Sequence, residues 1–225
     1  MSVTSKTRSP LKSAIAALFS VAALCATSAH SAGTIVYCSE GSPEGFQPQF
    51  FTTGTTFDAA SVPMFNRLVE FELGTTNVIA GLAEKWDVAA DGKAFTFHLR
   101  KGVKFHSNAV FTPTRDFNAD DVLFSWSRMA DVNHPFHKIT AGQTYSYFED
   151  MAMKDIVDRV EKIDPYTVRF VLKRAEAPFL ADMAMDFASI LSAEYFETML
   201  KRGTPNAADA QPIGTGPWQI GRAHV

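Results

Sequence analysis

The chain has 225 residues, of which 46% are hydrophobic and 20% charged, and a formal net charge of −3. Such values belong to an ordinary water-soluble globular chain with room for one large domain or two small ones. No basic patch of the nucleic-acid-binding kind stands out, which argues against that partner.

In chain order, the first 32 residues carry Lys6, Arg8 and Lys12 and no acid, then an apolar run from Ala14 to Leu24, then small residues from Ala26 to Ala32. That order predicts a secretory signal peptide over residues 1–32. The apolar run is too short for an ordinary membrane span, so no direct span is expected. Cleavage after Ala29, Ser31 or Ala32 would serve, and the bulky Leu24 before Cys25 fits a lipoprotein site badly. Loss of the three bases takes the formal charge from −3 to −6. Cys25 would leave with the signal. Cys38 is then an odd cysteine in an oxidising compartment, either paired elsewhere or a buried free thiol.

Thr34-Ile-Val-Tyr-Cys reads as a first strand, and Ser39 to Gln49, with its Gly and Pro residues, as loop. Phe50 to Ala60 holds a glycine between threonines, whose hydroxyls and backbone can present donors and acceptors to a ligand. Composition alone favours a plain loop leading into a helix. Asp58 to Leu68 is predicted helical, with short strands at Leu68-Val-Glu-Phe and Val78-Ile around the Gly74 turn. Asp91-Gly92 accepts the positive φ of a tight turn, and Phe95, Phe97 and Leu99 then alternate with Thr96 and His98, the period of a half-buried strand. Asn118-Ala-Asp-Asp predicts a capped helix start, followed by Val122, Trp126 and Met129 at helical spacing.

Asp131 to Gln143 is polar and turn-rich, a surface loop or rim. Tyr145, Tyr147 and Phe148 form an aromatic cluster suited to a ligand or to local core. Met153 to Lys162 reads as helix or strand entry. A second hairpin runs from Val160 to Leu172 with Val168, Phe170 and Leu172 on one face. Ala177 to Ala188 is predicted to be one helix starting near Pro178, which would put Asp182 and Asp186 one turn apart. Ser192 to Arg202 is another, stopped by Gly203 and Pro205.

Catalytic signatures are missing. Gly41-Ser-Pro-Glu-Gly has proline where a nucleophile elbow needs serine, and no phosphate-binding loop occurs. In Pro212-Ile-Gly-Thr-Gly-Pro-Trp, Pro217 and Trp218 follow the glycines and exclude a dinucleotide fingerprint. His134-Pro-Phe-His137 lacks the neighbours of a metal site, and His98 falls on the outward strand face. No metal, no cofactor and no catalytic residue are expected.

Several ordered strings carry a resemblance. Gly81-Leu-Ala-Glu-Lys-Trp, Asp91-Gly, Phe95 to Leu99 ending in Arg100-Lys-Gly-Val-Lys-Phe, and Asn118-Ala-Asp-Asp-Val together resemble the signature region of the family 5 extracellular solute-binding proteins. These are peptide- and nickel-type receptors of bacterial ABC importers. Cys38-Ser-Glu-Gly-Ser-Pro-Glu-Gly-Phe and Phe51-Thr-Thr-Gly-Thr-Thr-Phe-Asp-Ala look most like the dipeptide-binding members.

The resemblance implies an α/β, periplasmic-binding-protein-like fold of type II, cluster C, with two lobes. The fold would be incomplete here, the second lobe missing. Residues 33–65 would open lobe I, 66–213 would be an inserted subdomain, and 214–219 would return to lobe I. Residues 220–225 depart from the family pattern and can be back-translated into a sequencing-library adapter, so a non-native tail is expected there. The implied ligand-binding residues are Thr53, Gly54, Thr55 and Tyr145, with Phe136 and Asp186 weaker candidates. It favours cleavage at Ala32 and implies a disulfide from Cys38 to a partner outside this sequence.

The implied function is periplasmic capture of dipeptides or short peptides and delivery to an inner-membrane ABC permease, without catalysis. A haem- or nickel-binding member of the same family is the alternative. Rivals of a different class are a secreted hydrolase and a structural or chaperone-like role.

Overall fold

Two hairpins make the sheet on which the other elements pack. The computed structural model describes residues 37–221. The expected signal peptide and most of the expected first strand lie outside these residues, as do the last four residues of the expected tail. Tyr37 and Cys38 belong to no strand and are exposed, as are Ile220 and Gly221. Ser39 onward forms one compact unit.

A helical run over 54–64, here α1, consists of Gly54–Thr56, a π segment Phe57–Ser61, and Val62–Met64. A small antiparallel pair follows, β1 (Val69–Phe71) and β2 (Val78–Ala80). Next come β3 (Ala83–Val88), β4 (Ala94–Leu99) and the helix α2 (Ala119–Ala130). Two short helices, α3 (Ser146–Asp150) and α4 (Met153–Ile156), lead into β5 (Val157–Asp164) and β6 (Thr167–Leu172). The short α5 (Phe179–Asp182), a 3-10 turn at Asp186–Ala188, α6 (Ala193–Lys201) and α7 (Ala207–Ala210) complete the described chain.

The larger sheet is antiparallel with order β3-β4-β6-β5. Its first hairpin turns where Gly92 takes a φ of +68°, as the Asp-Gly pair predicts, and Trp86 stands opposite Phe97. In the central strands the alternation of sequence becomes alternation of burial. Phe95, Phe97 and Leu99 of β4 and Val168, Phe170 and Leu172 of β6 all face inward. Burying each of these side chains is worth about 1.5–3 kcal/mol. Against that face lies α2, with the Trp126 ring edge-on to Phe170 at 5.2 Å.

The start of α2 is held by a capping box. Asn118 Oδ1 accepts from the Asp120 N–H at 2.8 Å, and Asp121 Oδ2 accepts from the Asn118 N–H at 3.0 Å. Asp121 is fully buried, grips Arg115 through both oxygens at 2.7 and 2.9 Å, and accepts the Ala193 N–H that opens α6. The Pro165 carbonyl in the β5–β6 turn takes the Ala119 N–H at 2.9 Å, which ties the second hairpin to the helix start.

Two expectations change. The helix predicted from Asp58 to Leu68 starts earlier and stops at Met64, where Phe65 is extended (φ −121°, ψ 161°). Phe65, Leu68 and Val69 are buried there in non-helical backbone, so core packing overrides local propensity. The single helix predicted from Ala177 to Ala188 is instead broken at Met185, which is extended (ψ 158°). Asp182, Met183, Ala184, Phe187 and Ala188 are all buried, and on a straight helix these side chains would spread over about two thirds of the circumference, more than one stripe can bury.

Candidate functional site

Three separate stretches of chain meet at the start of α1: residues 50–57, residues 143–147 and residues 186–189. The Phe50 ring lies 5.3 Å from that of Tyr145, and the Phe57 ring stacks on Tyr147 at 6.0 Å with a 24° interplanar angle. Tyr147 in turn meets Phe187 at 6.5 Å.

Thr53 and Gly54 form the entry to α1 rather than the loop that the sequence suggests. Thr53 is extended (φ −89°, ψ 140°) and its hydroxyl bonds Thr56 Oγ1 at 2.9 Å, which also accepts the Glu44 N–H at 3.0 Å. That leaves the first turn of α1 without a side-chain cap: the Thr56 and Phe57 N–H groups bond the Thr53 carbonyl at 3.1 Å, and those of Gly54 and Thr55 have no partner among the described residues. Gly54 is exposed, and a Cβ placed on it would meet nothing within 4 Å. Nothing inside the described chain demands glycine there. The π segment follows at once, a departure from regular helix that is frequent at functional sites. Thr55 is partly exposed beside it.

Asp186 joins this face from the other side. Its Oδ1 accepts from Ser61 Oγ on α1 and, at 3.4 Å, from Arg67 Nη1. Arg67 also pairs with Glu70, and its Nε is buried without a partner. Asp186 is therefore not a free surface carboxylate. The side chain keeps 24% exposure, but it is a tether between α1 and the 186–189 turn.

Tyr145 and Phe136 are placed more deeply. Tyr145 is 3% exposed and its hydroxyl donates to the His137 carbonyl at 3.1 Å. Burial raises its pKa, against the lowering influence of Arg128. Phe136 is also 3% exposed, with Phe124 and Phe196 against its ring at 5.4 and 5.7 Å. Both belong to the shell of Arg128, among the largest fully buried side chains of the described residues. Its guanidinium is sandwiched by Phe50 and Phe196, donates to the carbonyls of Phe136 (3.4 Å) and Ile139 (2.9 Å), and stands 4.0 Å from Asp209. Burial pushes the Arg128 pKa down and the Asp209 pKa up, each opposed by the charge of the other. Arg128 thus anchors both the Phe50 end of the face and the loop that leads to Tyr145.

Sequence reasoning named Thr53, Gly54, Thr55, Tyr145 and Asp186, and the structure gathers them around α1. It missed Ser61, Arg67 and Arg128, none of which falls inside the quoted motifs. A charged residue one turn after Phe124 on α2 was the available signal for Arg128.

The predicted return segment packs beside α1. Trp218 N–H donates to the Pro63 carbonyl (3.0 Å) and Gly216 N–H to that of Met64 (2.9 Å), while His106 Nε2 donates to the Gly216 carbonyl (2.7 Å). A Cβ on Gly214 would fall 1.8 Å from the Met64 carbonyl oxygen, so glycine is required there.

Among the described residues no group of three or more His, Cys, Asp or Glu could hold a metal ion. His98 bonds Asp87 across the first hairpin at 2.7 Å. Cys38 is exposed and unpaired among the described residues. No described helix is long and apolar enough to cross a membrane.

Comparison with known proteins adds the following. The profile of bacterial extracellular solute-binding proteins, family 5 Middle, matches residues 77–223. The dipeptide-binding protein of Escherichia coli is 60% identical over 201 residues, 89% of this chain and 37% of that protein. The heme-binding protein A of Haemophilus influenzae is 50% identical over 188 residues, 84% of this chain and 34% of that one. The crystal structure of a dipeptide binding protein from a Pseudoalteromonas species in complex with Met-Leu superposes with a TM-score of 0.77 at 42% identity, covering 83% of this chain and 37% of that one. The chain therefore spans little more than a third of the length of the relatives it matches, and its mixed α/β fold matches part of a type II periplasmic binding protein.

Proposed function

The chain belongs to the bacterial extracellular solute-binding proteins of family 5, and from that premise we propose that it supplies one wall of a periplasmic receptor for dipeptides and other short peptides. The receptor would deliver its cargo to an inner-membrane ABC permease and alter no bond in it. The observation that carries this reading is the 60% identity to a dipeptide-binding protein along 89% of the chain.

The geometry is in keeping with such a wall. The Gly54 and Thr55 N–H groups have no partner among the described residues at the start of α1, Tyr145 meets the Phe50 ring just before it, and Asp186 is tied to Ser61 within it. A peptide carries a charge at each end, and burying those charges is costly unless each meets an opposite one. In the proposed wall Arg67 is already shared by Glu70 and Asp186 and is not free for a peptide carboxylate. The charges that hold both termini are assigned to a second lobe. In the domain reading, residues 33–65 and 214–219 belong to lobe I and 66–213 to the inserted subdomain. The bonds from Gly216 and Trp218 to Met64 and Pro63 support that pairing of segments.

Titration calorimetry on the product of the complete reading frame tests the proposal. Micromolar or tighter binding of a dipeptide, with no hydrolysis of it, is expected; the isolated chain of 225 residues is expected to bind none. The 50% identity to a heme-binding protein favours one second reading. Haem binding without peptide binding would replace the first proposal with that one.

A further inference from the structure

The stacked pair Phe57–Tyr147 is left half-buried beside a carboxylate that has one oxygen to spare. Both rings are partly exposed, 6.0 Å apart and close to parallel, with Phe187 behind Tyr147. Ser61, which holds Asp186, lies one turn after Phe57 on α1, and its hydroxyl also reaches toward the Phe57 carbonyl at 3.4 Å. Phe187, next to Asp186 in sequence, touches Tyr147. The carboxylate is thus linked to the ring pair through Ser61 on one side and through its neighbour Phe187 on the other.

Its bonding is one-sided. Ser61 and Arg67 both engage Oδ1, and Oδ2 accepts no hydrogen bond among the described residues. Arg67 serves two carboxylates at once, Glu70 and Asp186, so the three groups together leave one negative charge unmatched. At 24% side-chain exposure Asp186 is open to a partner from outside.

We propose that Phe57, Tyr147 and Asp186 form a side-chain subsite that takes the lysine or arginine side chain of a peptide ligand. The inference rests on the peptide-receptor reading and deepens it by naming a ligand class. A long aliphatic stem lies along aromatic faces while its charged end stays solvated or paired. A cation over or beside such rings is attracted by their negative faces. The unmatched charge at Asp186 gives the cation its second contact. An acidic side chain meets the opposite: a like charge at Asp186 and no free guanidinium, since Arg67 is already taken.

The test is calorimetry on the product of the complete reading frame with dipeptides that differ at one position, lysyl, leucyl, glycyl and glutamyl, at each position in turn. For one of the two positions the unsubstituted protein should bind the lysyl peptide about tenfold more tightly than the leucyl one and the glutamyl peptide weakest of all. That order does not depend on whether any variant folds. Asp186→Asn should bring the lysyl-to-leucyl ratio close to one. Phe57→Ala and Tyr147→Ala should weaken lysyl and leucyl peptides together relative to the glycyl peptide.

A glutamyl peptide bound as well as the lysyl one overturns the inference, as does a lysyl preference that survives Asp186→Asn. Equal binding of leucyl and lysyl peptides by the unsubstituted protein also overturns it, in favour of a purely apolar subsite. Failure of the unsubstituted protein to bind any dipeptide would instead remove the peptide-receptor reading itself.

Discussion

The Arg128 guanidinium carbon lies 4.9 Å from the centre of the Phe50 ring, which joins the last turn of α2 to the segment that enters α1. This is a cation taken wholly out of water and held by rings, two carbonyls and a carboxylate 4.0 Å away, with Nη1 unpartnered. Arg128→Ala would leave the Phe136 and Ile139 carbonyls without their donor and Asp209 without its nearest cation. Loss of one partner from a buried charged group costs about 3–5 kcal/mol. Urea denaturation should show that loss, and Arg128→Lys should recover little of it, because lysine cannot stack flat between Phe50 and Phe196.

Gly214→Ala is expected to be at least as severe as ordinary overpacking, about 1–3 kcal/mol. The new methyl would meet a backbone carbonyl oxygen at 1.8 Å, and backbone cannot step aside as a flexible side chain can. A lowered Tm and faster exchange of the Gly216 and Trp218 amides are the expected readouts. Gly54→Ala, with nothing within 4 Å, should leave Tm nearly unchanged.

At the start of α2 two neighbouring substitutions should differ in size. Asn118→Ala removes one cap and should cost about 1 kcal/mol. Asp121→Ala removes a fully buried carboxylate that serves Arg115, the Asn118 N–H and the Ala193 N–H, and should cost more than 3 kcal/mol. Guanidinium melts of the two variants compare them directly.

The β5–β6 turn carries a pH signature. The Tyr166 N–H, and then the Thr167 hydroxyl, hold the Asp164 pKa below its ordinary value of 3.8. The folded state thus binds this proton less readily than the unfolded one. The stabilisation is complete above the ordinary value and fades as pH falls through the lower folded one. The Tm gap between the natural protein and Asp164→Asn should be constant from pH 7 to 5 and close below about pH 4. A gap that widened in acid would contradict the turn geometry.

Local rules carried much of the way from sequence to structure where the signal was short-range. The Asp91-Gly92 turn, the alternation in β4 and β6 and the Asn118 cap appear as expected, because each is decided by neighbours in the chain. The Ala177–Ala188 prediction failed for the opposite reason. Its alanines favour helix, but Asp182, Met183, Ala184, Phe187 and Ala188 are all buried, more than one helix face can turn inward, and burial outweighs propensity.

The candidate site divides in the same way. Glycine and threonines at 53–55 were visible as a string that resembles a binding segment, and the string alone pointed to a loop. That Phe57 lies on Tyr147 and that Ser61 and Arg67 share Asp186 are relations across more than 80 residues of chain. By itself the sequence determined the family, the hairpins and the capped helix, since turn chemistry, side-chain period and motif order are properties of consecutive residues. Only the tertiary structure decided which face is left open and which charge stays unmatched on it, because exposure and pairing depend on what the folded chain brings alongside.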